Sequence, residues 1–245
     1  MLDGNLVKTR KFKEPKYVGD PINAVTIFND KELDEIILLD IGCSKNNTEI
    51  NYDILEKVVK ECFIPLTYGG GVQTIDQMKK IFSLGVEKIV VNNSAINNPK
   101  LLKEAVKMFG SQSIIAGVDV KKSFFKKNKI FSHVSGKTLN KPLEKYFMEL
   151  QEIGVGEVFL NSVDGDGTWE GYDVSTNKAI SKLLNVPIIA CGGAGNHKHI
   201  HSLFNSTDVM AAALGSMAVY QKKDFGVLIN FPLKKERERI LYERV

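Results

Sequence analysis

Short apolar runs alternate with amphipathic stretches along the chain. The runs are rich in β-branched residues and do not alternate between apolar and polar positions, which predicts strands buried on both faces. This pattern is typical of a parallel sheet packed against helices. The predicted strands span residues 35–41, 64–68, 88–91, 113–120, 157–161, 187–190 and 209–214.

Two segments between the runs carry helix-start signals. Thr74 and Gln77 have the spacing of a capping box, and Pro99 follows Asn98 as a proline at the first helical position does. Single strand–helix units repeated over 245 residues predict one domain, residues 1–245, folded as an α/β (β/α)8 TIM barrel. An open, doubly wound sheet is the alternative interpretation of the same alternation.

The chain repeats itself at a spacing of 122 residues. The segment 64–71 returns as 186–193, and each copy carries a proline, a short apolar run and a glycine pair. Glu35 before one run returns as Glu157, and Ser94 after another returns as Ser216. A repeat of this length exceeds a solenoid unit and indicates a duplicated half-domain. We therefore expect a twofold barrel with half-barrels at about 1–110 and 111–245.

The repeat also predicts which barrel strand this sequence lacks. The run 113–120 opens the second half, and its counterpart 122 residues earlier falls before Met1. We therefore expect seven strands of the eight that a barrel requires, with the first strand truncated or missing.

The net charge and the distribution of lysines add little to the predicted fold and function. A net charge of +4 is mildly basic and favours small anionic ligands, and no basic stripe with interleaved aromatic residues predicts nucleic-acid binding. One lysine cluster surrounds a turn-like segment, and we interpret it as a solvated hairpin rather than a binding patch. The cluster consists of Lys121, Lys122, Lys126, Lys127 and Lys129.

Cysteine usage and hydropathy predict a cytoplasmic protein. Cys43, Cys62 and Cys191 are odd in number and lack the spacing of a metal site, which fits a reducing compartment. The sequence has no signal-peptide pattern and no apolar run of 18 residues, so we expect neither secretion nor a membrane span.

Glycine-rich turns follow corresponding strands of the two halves. Glycine allows close approach of the backbone to a phosphate, and a helix N-terminus offers free N–H groups. Small residues after the next strand of each half add further N–H groups, so we expect one phosphate at each of two opposite rims and a doubly phosphorylated ligand. A tight strand–helix turn is the alternative interpretation of any single glycine run. The expected phosphate-binding residues are Gly70, Gly71, Asn92, Asn93, Gly192, Gly193, Gly215 and Ser216.

Acidic residues end several predicted strands. Asp119 ends the run 113–120, and a carboxylate at the C-terminal end of a barrel strand indicates catalysis. The alternative is an ion pair with Lys121 or Lys122. Asp164 and Asp166 follow the run 157–161 and either line the mouth or cap the loop, and Asp40 ends the run 35–41 facing the same way.

We expect no metal ion and no cofactor. His197, His199 and His201 follow Asn196, a predicted N-cap, so they fall on a helix where His199 points away from the other two. No carboxylate or cysteine stands at ligand spacing beside them.

As a set, these residues resemble the cyclase subunit of imidazole glycerol phosphate synthase, the HisF family of histidine biosynthesis, over essentially the whole chain. The sister isomerase family shares the phosphate sites but matches the segments 164–168 and 171–173 less well. The resemblance is carried by segments 19–21, 39–41, 63–67, 69–71, 109–112, 164–168, 171–173 and 192–195.

The resemblance implies an activity and a partner. The family uses ammonia from a separate glutaminase subunit to convert a bis-phosphorylated formimino ribulosyl aminoimidazole carboxamide ribotide to imidazole glycerol phosphate and an aminoimidazole carboxamide ribotide. Asp119 matches its fifth-strand catalytic aspartate, and Lys8 matches the lysine of its mobile first loop. Asp166 and Gly167 match substrate-binding positions. The charged residues of the ammonia entrance are matched by Glu35, Lys88 and Glu157.

One departure supports an alternative function. Counting back from Lys8, the family's first-strand aspartate falls just before Met1, and the fourth entrance residue is also missing. The segments 6–20 and 227–232 resemble a divergent branch that is associated with amidation of surface-polysaccharide sugars. Members of that branch conduct ammonia to a separate enzyme and generally lack this aspartate.

Overall fold

Strands and helices alternate as the sequence predicts. This computed structural model describes residues 1–46, 48–124, 127–232 and 234–242. In chain order, the strands are β1 (Leu6–Arg10), β2 (Lys13–Gly19), β3 (Ile36–Leu39), β4 (Leu66–Gly69), β5 (Lys88–Val91), β6 (Ile114–Lys122), β7 (Asn128–Ser132), β8 (Lys137–Thr138), β9 (Glu157–Ser162), β10 (Ile188–Cys191) and β11 (Ala211–Ala213). The α-helices are α1 (Pro21–Asn29), α2 (Ile41–Asn46), α3 (Tyr52–Glu61), α4 (Ile75–Ser83), α5 (Asn93–Asn97), α6 (Pro99–Phe109), α7 (Leu143–Ile153), α8 (Val174–Leu183), α9 (His197–Ser206), α10 (Ser216–Val219) and α11 (Lys234–Tyr242).

The central sheet is a curled barrel wall of parallel strands. Among the described residues, seven strands follow one another in the order β11, β10, β9, β6, β5, β4, β3, and every neighbouring pair is parallel. The single strand–helix alternation confirms the predicted TIM-barrel fold. β3 and β11 lie at the two edges of this wall. Met1 contacts the carboxyl end of β3, where its carbonyl oxygen accepts from Ile41 N at 2.9 Å.

Both faces of the strands are buried, as their apolar runs predict. One face packs under the helices in the main core, which contains Leu38, Tyr68 and Ile89. The other face points into the barrel, where Val90, Ile115, Phe159 and Ile189 form a second, smaller cluster. Because the seven strands of the wall are parallel, their carboxyl ends all lie at one mouth of the barrel.

The predicted helix starts are confirmed. Thr74 caps α4 in a complete capping box with Gln77, and Pro99 occupies the first turn of α6. Asn196 caps α9 by accepting from His199 N at 3.2 Å. Each cap satisfies a backbone group at a helix end and fixes where the chain leaves the preceding loop.

Antiparallel hairpins lie at the mouth of the barrel. β1 pairs with β2, a hairpin that the apolar pattern did not predict because most of β2 is exposed. β6 continues past the barrel wall and pairs with β7, so Lys121 stands opposite Lys129 and the predicted hairpin is present. Lys121 is less solvated than predicted, since its Nζ lies 4.8 Å from the centre of the Phe131 ring. Lys126 lies outside the described residues.

Candidate active site

A cavity of about 880 Å³ opens where the parallel strands end. Its lining combines side chains from both halves with the β1–β2 hairpin, and it continues down the barrel interior to Glu35. Gly167, Gly192, Gly193 and Ser216 do not belong to the lining. The predicted site residues that it brings together are Lys8, Gly70, Gly71, Asn92, Asn93, Asp119, Asp166 and Gly215.

The two glycine turns are the same structural device. Gly70 has a φ of +113° and Gly192 a φ of +95°, a region that side chains disfavour. A Cβ on Gly70 would lie 2.0 Å from the carbonyl oxygen of Asp40, and one on Gly192 would lie 2.6 Å from that of Ser162. Asp40 and Ser162 are themselves 122 residues apart. The repeat therefore extends to the contacts that demand glycine.

The side chains of Asp40 and Ser162 also accept hydrogen bonds from the backbone of the segments that follow them. Asp40 Oδ1 accepts from Cys43 N at 3.2 Å, and Ser162 Oγ accepts from Gly165 N at 3.2 Å, three residues on in each half. Asp40 is thus a buried capping residue, held in place as part of the turn beneath Gly70.

A second pair of matching elements follows β5 and β11. Asn92 precedes α5 with φ −113° and ψ −86°, and Gly215, one residue beyond the repeat partner of Asn92, precedes α10 with φ −101° and ψ −95°. The similar backbone angles direct the first N–H groups of both short helices alike. An added Cβ on Gly215 would lie 2.6 Å from Lys8 Nζ, so the Lys8 ammonium lies against the second-half rim. The two rims differ in what they present to the cavity, because Gly70, Gly71, Asn92 and Asn93 line it in the first half, whereas Gly215 beside Lys8 is the predicted phosphate-binding residue that lines it in the second.

Asp166 fastens the β1–β2 hairpin over the mouth. Its Oδ2 accepts from Thr9 Oγ1 at 2.6 Å and from Phe12 N at 3.0 Å. Gly167 packs beside it, since an added Cβ there would lie 2.3 Å from Thr9 O. Asp164 Oδ2 instead accepts from Lys122 N at 2.7 Å and holds the β6–β7 hairpin. Both interpretations of this loop therefore apply, because Asp166 lines the cavity and Asp164 caps a loop.

Asp119 sits at the centre of the mouth in a cage of polar side chains. It ends the barrel portion of β6 and is 4% exposed. Asn92 Nδ2 donates to Oδ2 at 2.9 Å, and Asn161 Nδ2 donates to Oδ1 at 3.3 Å. His133 Nδ1 lies 3.4 Å from Oδ2. A buried carboxylate with these partners is placed to hold or move protons on a ligand.

The alternative ion pairs of Asp119 are wrong. Lys121 lies over the Phe131 ring, and Lys122 Nζ lies 3.8 Å from Asp173. The sequence analysis missed Asn161 and His133. Asn161 follows Phe159 at the next inward position of β9, a signal that alternation along the strand could have supplied.

The cysteine thiols near the site are poor candidates for a nucleophile. Burial raises the pKa of Cys191, which lines the cavity, to about 12. Burial likewise raises the pKa of Cys43 to about 11. Both groups stay protonated at neutral pH, and a protonated thiol is a weak nucleophile.

Three charged residues meet at the opposite, amino-terminal end of the barrel. Lys88 Nζ lies 2.9 Å from Glu35 Oε2 and 2.7 Å from Glu157 Oε1, as expected of one entrance cluster. Burial opposes the charge of Lys88, but the two carboxylates outweigh it and raise its pKa. From Glu35 the cavity passes the apolar side chains of Val90 and Phe159 before it reaches Asp119.

Exposed apolar side chains flank this charged cluster. Phe63, just before β4, is 82% exposed, and Met210, just before β11, is 70% exposed. Met210 N donates to Ile188 O, which fixes it at the amino end of β10. Phe63 and Met210 therefore leave two large apolar side chains in solvent at this end of the barrel.

Metal binding finds no support among the described residues, where no group of three or more His, Cys, Asp or Glu side chains could hold an ion. His199 and His201 lie on α9, as predicted, within reach of Asn196 and Asn205 respectively. No helix in the described ranges is both long and apolar enough to cross a bilayer.

Comparisons with known proteins agree with this geometry. Residues 1–224 match the family described as histidine biosynthesis protein. The chain is 46% identical over 230 residues to a Pseudomonas aeruginosa protein provisionally named imidazole glycerol phosphate synthase subunit hisF2, covering 94% of this chain and 92% of that one. It is 36% identical over 236 residues to the imidazole glycerol phosphate synthase subunit HisF of Clostridium botulinum, covering 95% and 92%. The same subunit of Methanococcus vannielii is 33% identical over 243 residues, covering 91% and 89%.

Proposed function

The chain belongs to the histidine biosynthesis protein family, in its HisF group, and we propose that it is the ring-closing subunit of an imidazole glycerol phosphate synthase. In this role it takes ammonia from a glutaminase subunit and a bis-phosphorylated formimino ribulosyl aminoimidazole carboxamide ribotide. The products are imidazole glycerol phosphate, the aminoimidazole carboxamide ribotide and one water molecule, which carries away the ribulosyl ketone oxygen. The observation that carries the proposal is a caged Asp119 between two matching glycine-lined rims.

The two rims fit the two ends of this substrate. Each rim presents a glycine turn and the start of a short helix, and backbone N–H groups in such turns bind phosphate oxygens. Lys8 adds a positive charge at the second-half rim. A cavity of about 880 Å³ is within the range of pockets that enclose ligands of this size. A substrate held at both ends would lay its middle across Asp119.

Asp119 fits the proton transfers of ring closure. When the ammonia-derived nitrogen bonds to the formimino carbon it must lose a proton, and the departing amine must gain one. A side chain that exchanges these protons typically contributes about 10²–10⁴-fold to the rate. The two amide donors hold the carboxylate in one orientation for that purpose.

The amino-terminal end fits ammonia delivery from a glutaminase. Glu35, Lys88 and Glu157 form a polar entrance, and the apolar interior above it suits neutral ammonia because it excludes charged ions. Phe63 and Met210 supply exposed apolar contacts for the partner beside that entrance.

The proposal is tested with the purified chain, ammonium salt and the bis-phosphorylated substrate. We expect imidazole glycerol phosphate to form, measured by mass spectrometry, and Asp119→Asn to reduce kcat while the protein still binds inorganic phosphate. Absence of product from the wild-type chain, also when its glutaminase partner and glutamine are supplied, would contradict the proposal.

A second candidate function is favoured by the entrance cluster and the apolar interior. These features conduct ammonia whether or not Asp119 reacts, so the chain would serve a glutaminase in sugar amidation by another enzyme. In that case the glutaminase gains activity on complex formation without the bis-phosphate, and Asp119→Asn leaves amidation within about threefold of wild type. Dependence of glutaminase activation on the bis-phosphate would reject this candidate.

A further inference from the structure

One histidine of the mouth belongs neither to the repeat nor to the ammonia route. His133 follows β7, and its side chain is 24% exposed and lines the cavity. Its Nδ1 lies 3.4 Å from Asp119 Oδ2. Among the described residues, it is the only basic side chain within 4.0 Å of that carboxylate.

The cage around Asp119 has room for a further donor. Asn161 occupies one acceptor position on Oδ1 and Asn92 occupies one on Oδ2. A carboxylate has about four such positions, and a side chain this deeply buried has little water to fill the rest. An imidazole whose Nδ1–H faces Oδ2 fills one of them. Its second nitrogen, Nε2, then lies on the far side of the ring from Asp119.

The turn that carries His133 is anchored to the first-half rim. Ser132 Oγ donates to Asn93 Oδ1 at 3.1 Å, and Ser135 N donates to Ser132 Oγ at 3.3 Å. Gly136 N closes the turn on Ser132 O at 2.8 Å. A ligand held at Asn93 therefore lies next to the residue that precedes His133. The distance of 3.4 Å to Asp119 is at the outer limit of a hydrogen bond and leaves the ring within reach of the carboxylate.

We propose that His133 and Asp119 act as one acid–base unit, in which His133 Nε2 exchanges protons with the bound substrate and Asp119 holds the ring through Nδ1. The inference rests on the proposed ring-closing function and refines it, because the two protons assigned there to Asp119 pass instead through the imidazole that Asp119 holds. Nε2 takes the proton that the ammonia-derived nitrogen loses as it bonds to the formimino carbon. The imidazolium returns that proton to the amine nitrogen as the bond between this amine and the carbon breaks. The ring ends neutral and Asp119 stays ionised.

Two variants separate this role from a structural one. His133→Asn keeps an amide donor near the position of Nδ1 but has no basic nitrogen, and His133→Ala leaves space at the site. We expect either change to lower kcat by about 10²–10⁴-fold with KM for the bis-phosphate within about threefold. Free imidazole should restore part of the activity of His133→Ala and none of that of His133→Asn. His201→Asn, on the outer side of α9, is the matched control and should keep wild-type kcat.

A measurement on the unmutated protein guards against variants that fail to fold. Diethyl pyrocarbonate should carbethoxylate His133 in the free protein, and the bis-phosphate should protect His133 but not His197, as mapped by mass spectrometry. Turnover by wild type with His133→Asn equal to it, or no protection of His133 by the substrate, overturns this inference alone. No turnover by wild type overturns both this inference and the proposed function.

Discussion

The two halves of the chain share the backbone of their glycine turns but differ in the side chains that surround the mouth. Gly70 and Gly192 approach the carbonyl oxygens of Asp40 and Ser162, and each of those residues caps its own loop three residues on. Because these contacts involve backbone and small caps, they survive duplication and produce two similar anion rims. The proposed binding of a ligand with two similar ends would depend on this part of the repeat.

The repeat positions that carry different residues in the two halves form the features that occur once in the barrel. Asn92 corresponds to Leu214, and Lys88 corresponds to Met210, at the same spacing of 122 residues. Asn92 from the first half and Asp119 from the second meet at one mouth, and Lys88 bridges Glu35 and Glu157, which are repeat partners. The comparison teaches that the repeat supplied two matching glycine turns, whereas differences at single inward positions supplied one caged carboxylate and one buried charge cluster.

The largest effect should come from the centre that is not repeated. Asp119→Asn should lower kcat by about 10²–10⁴-fold, because the amide can neither accept protons nor hold an imidazolium. Steady-state kinetics with ammonium salt and calorimetric binding of inorganic phosphate measure the two consequences separately. The matched control is Asp164→Asn, whose amide oxygen can still accept from Lys122 N, so it should keep kcat within about threefold. Equal losses of kcat in the two variants would mean that Asp119 acts only through the negative charge that it adds to the mouth, and not through its position.

The next largest effect should be symmetrical between the halves. Gly70→Ala and Gly192→Ala should each lower the free energy of unfolding by about 3 kcal/mol, with Gly70→Ala the more severe, because the added Cβ meets a carbonyl oxygen as well as an unfavourable φ. Gly136→Ala is the control, since its φ is +68° but nothing lies within 4 Å of an added Cβ. It should cost only about 1 kcal/mol. Urea unfolding measures all three, and a stable Gly192→Ala would break the equivalence of the rims.

The entrance cluster should show an intermediate effect on stability. Lys88→Met copies the residue that the second half carries at this position, and it leaves Glu35 facing Glu157 without a cation. We expect the free energy of unfolding at neutral pH to fall by about 2 kcal/mol. Lys79→Met, which removes an exposed ion pair with Asp76, should change it by less than about 0.5 kcal/mol.

The wild type and Lys88→Met also allow the ion pairs of Lys88 to be tested by varying the pH. The pKa of Lys88 is raised, so its contribution is fully present below the ordinary lysine value of about 10.4 and is lost as pH rises through the higher folded value. The stability difference between wild type and Lys88→Met should therefore stay constant near neutral pH and shrink above about pH 10.5. A difference that grows with alkaline pH would contradict the assigned ion pairs.

The smallest effect should distinguish the two rims. Lys8→Met should weaken phosphate binding by about fivefold, or about 1 kcal/mol, because the ammonium lies against Gly215 and faces the second-half rim. Lys16→Met is the control and should leave the affinity unchanged, because Lys16 stands opposite Lys8 in the same hairpin but is exposed and does not line the cavity. Calorimetry at two salt concentrations would measure both, and the Lys8 effect should diminish at high salt.

The sequence by itself determined the barrel and its rims. Continuous apolar runs predicted parallel strands, the repeat predicted two matching glycine turns, and Thr74, Pro99 and Asn196 marked helix starts within a residue or two. These features depend on neighbours in the chain or on the backbone freedom of single glycines, so local reasoning reaches them. The place of Asp119 at the mouth was also predicted, because the end of a barrel strand is a position that the sequence already fixes, while its catalytic role stays a prediction.

Only the tertiary structure decided how the mouth is assembled. Asp166 meets Thr9 across 157 residues, Asn161 and His133 turn toward Asp119, and Lys121 folds onto an aromatic ring instead of into water. The β1–β2 hairpin likewise went unpredicted, since its exposed, lysine-rich strands have no buried face to announce them. Such contacts depend on strand register and on loops meeting across the barrel. Residue types and spacing along the chain do not encode these distances, whereas the curled wall of strands sets them.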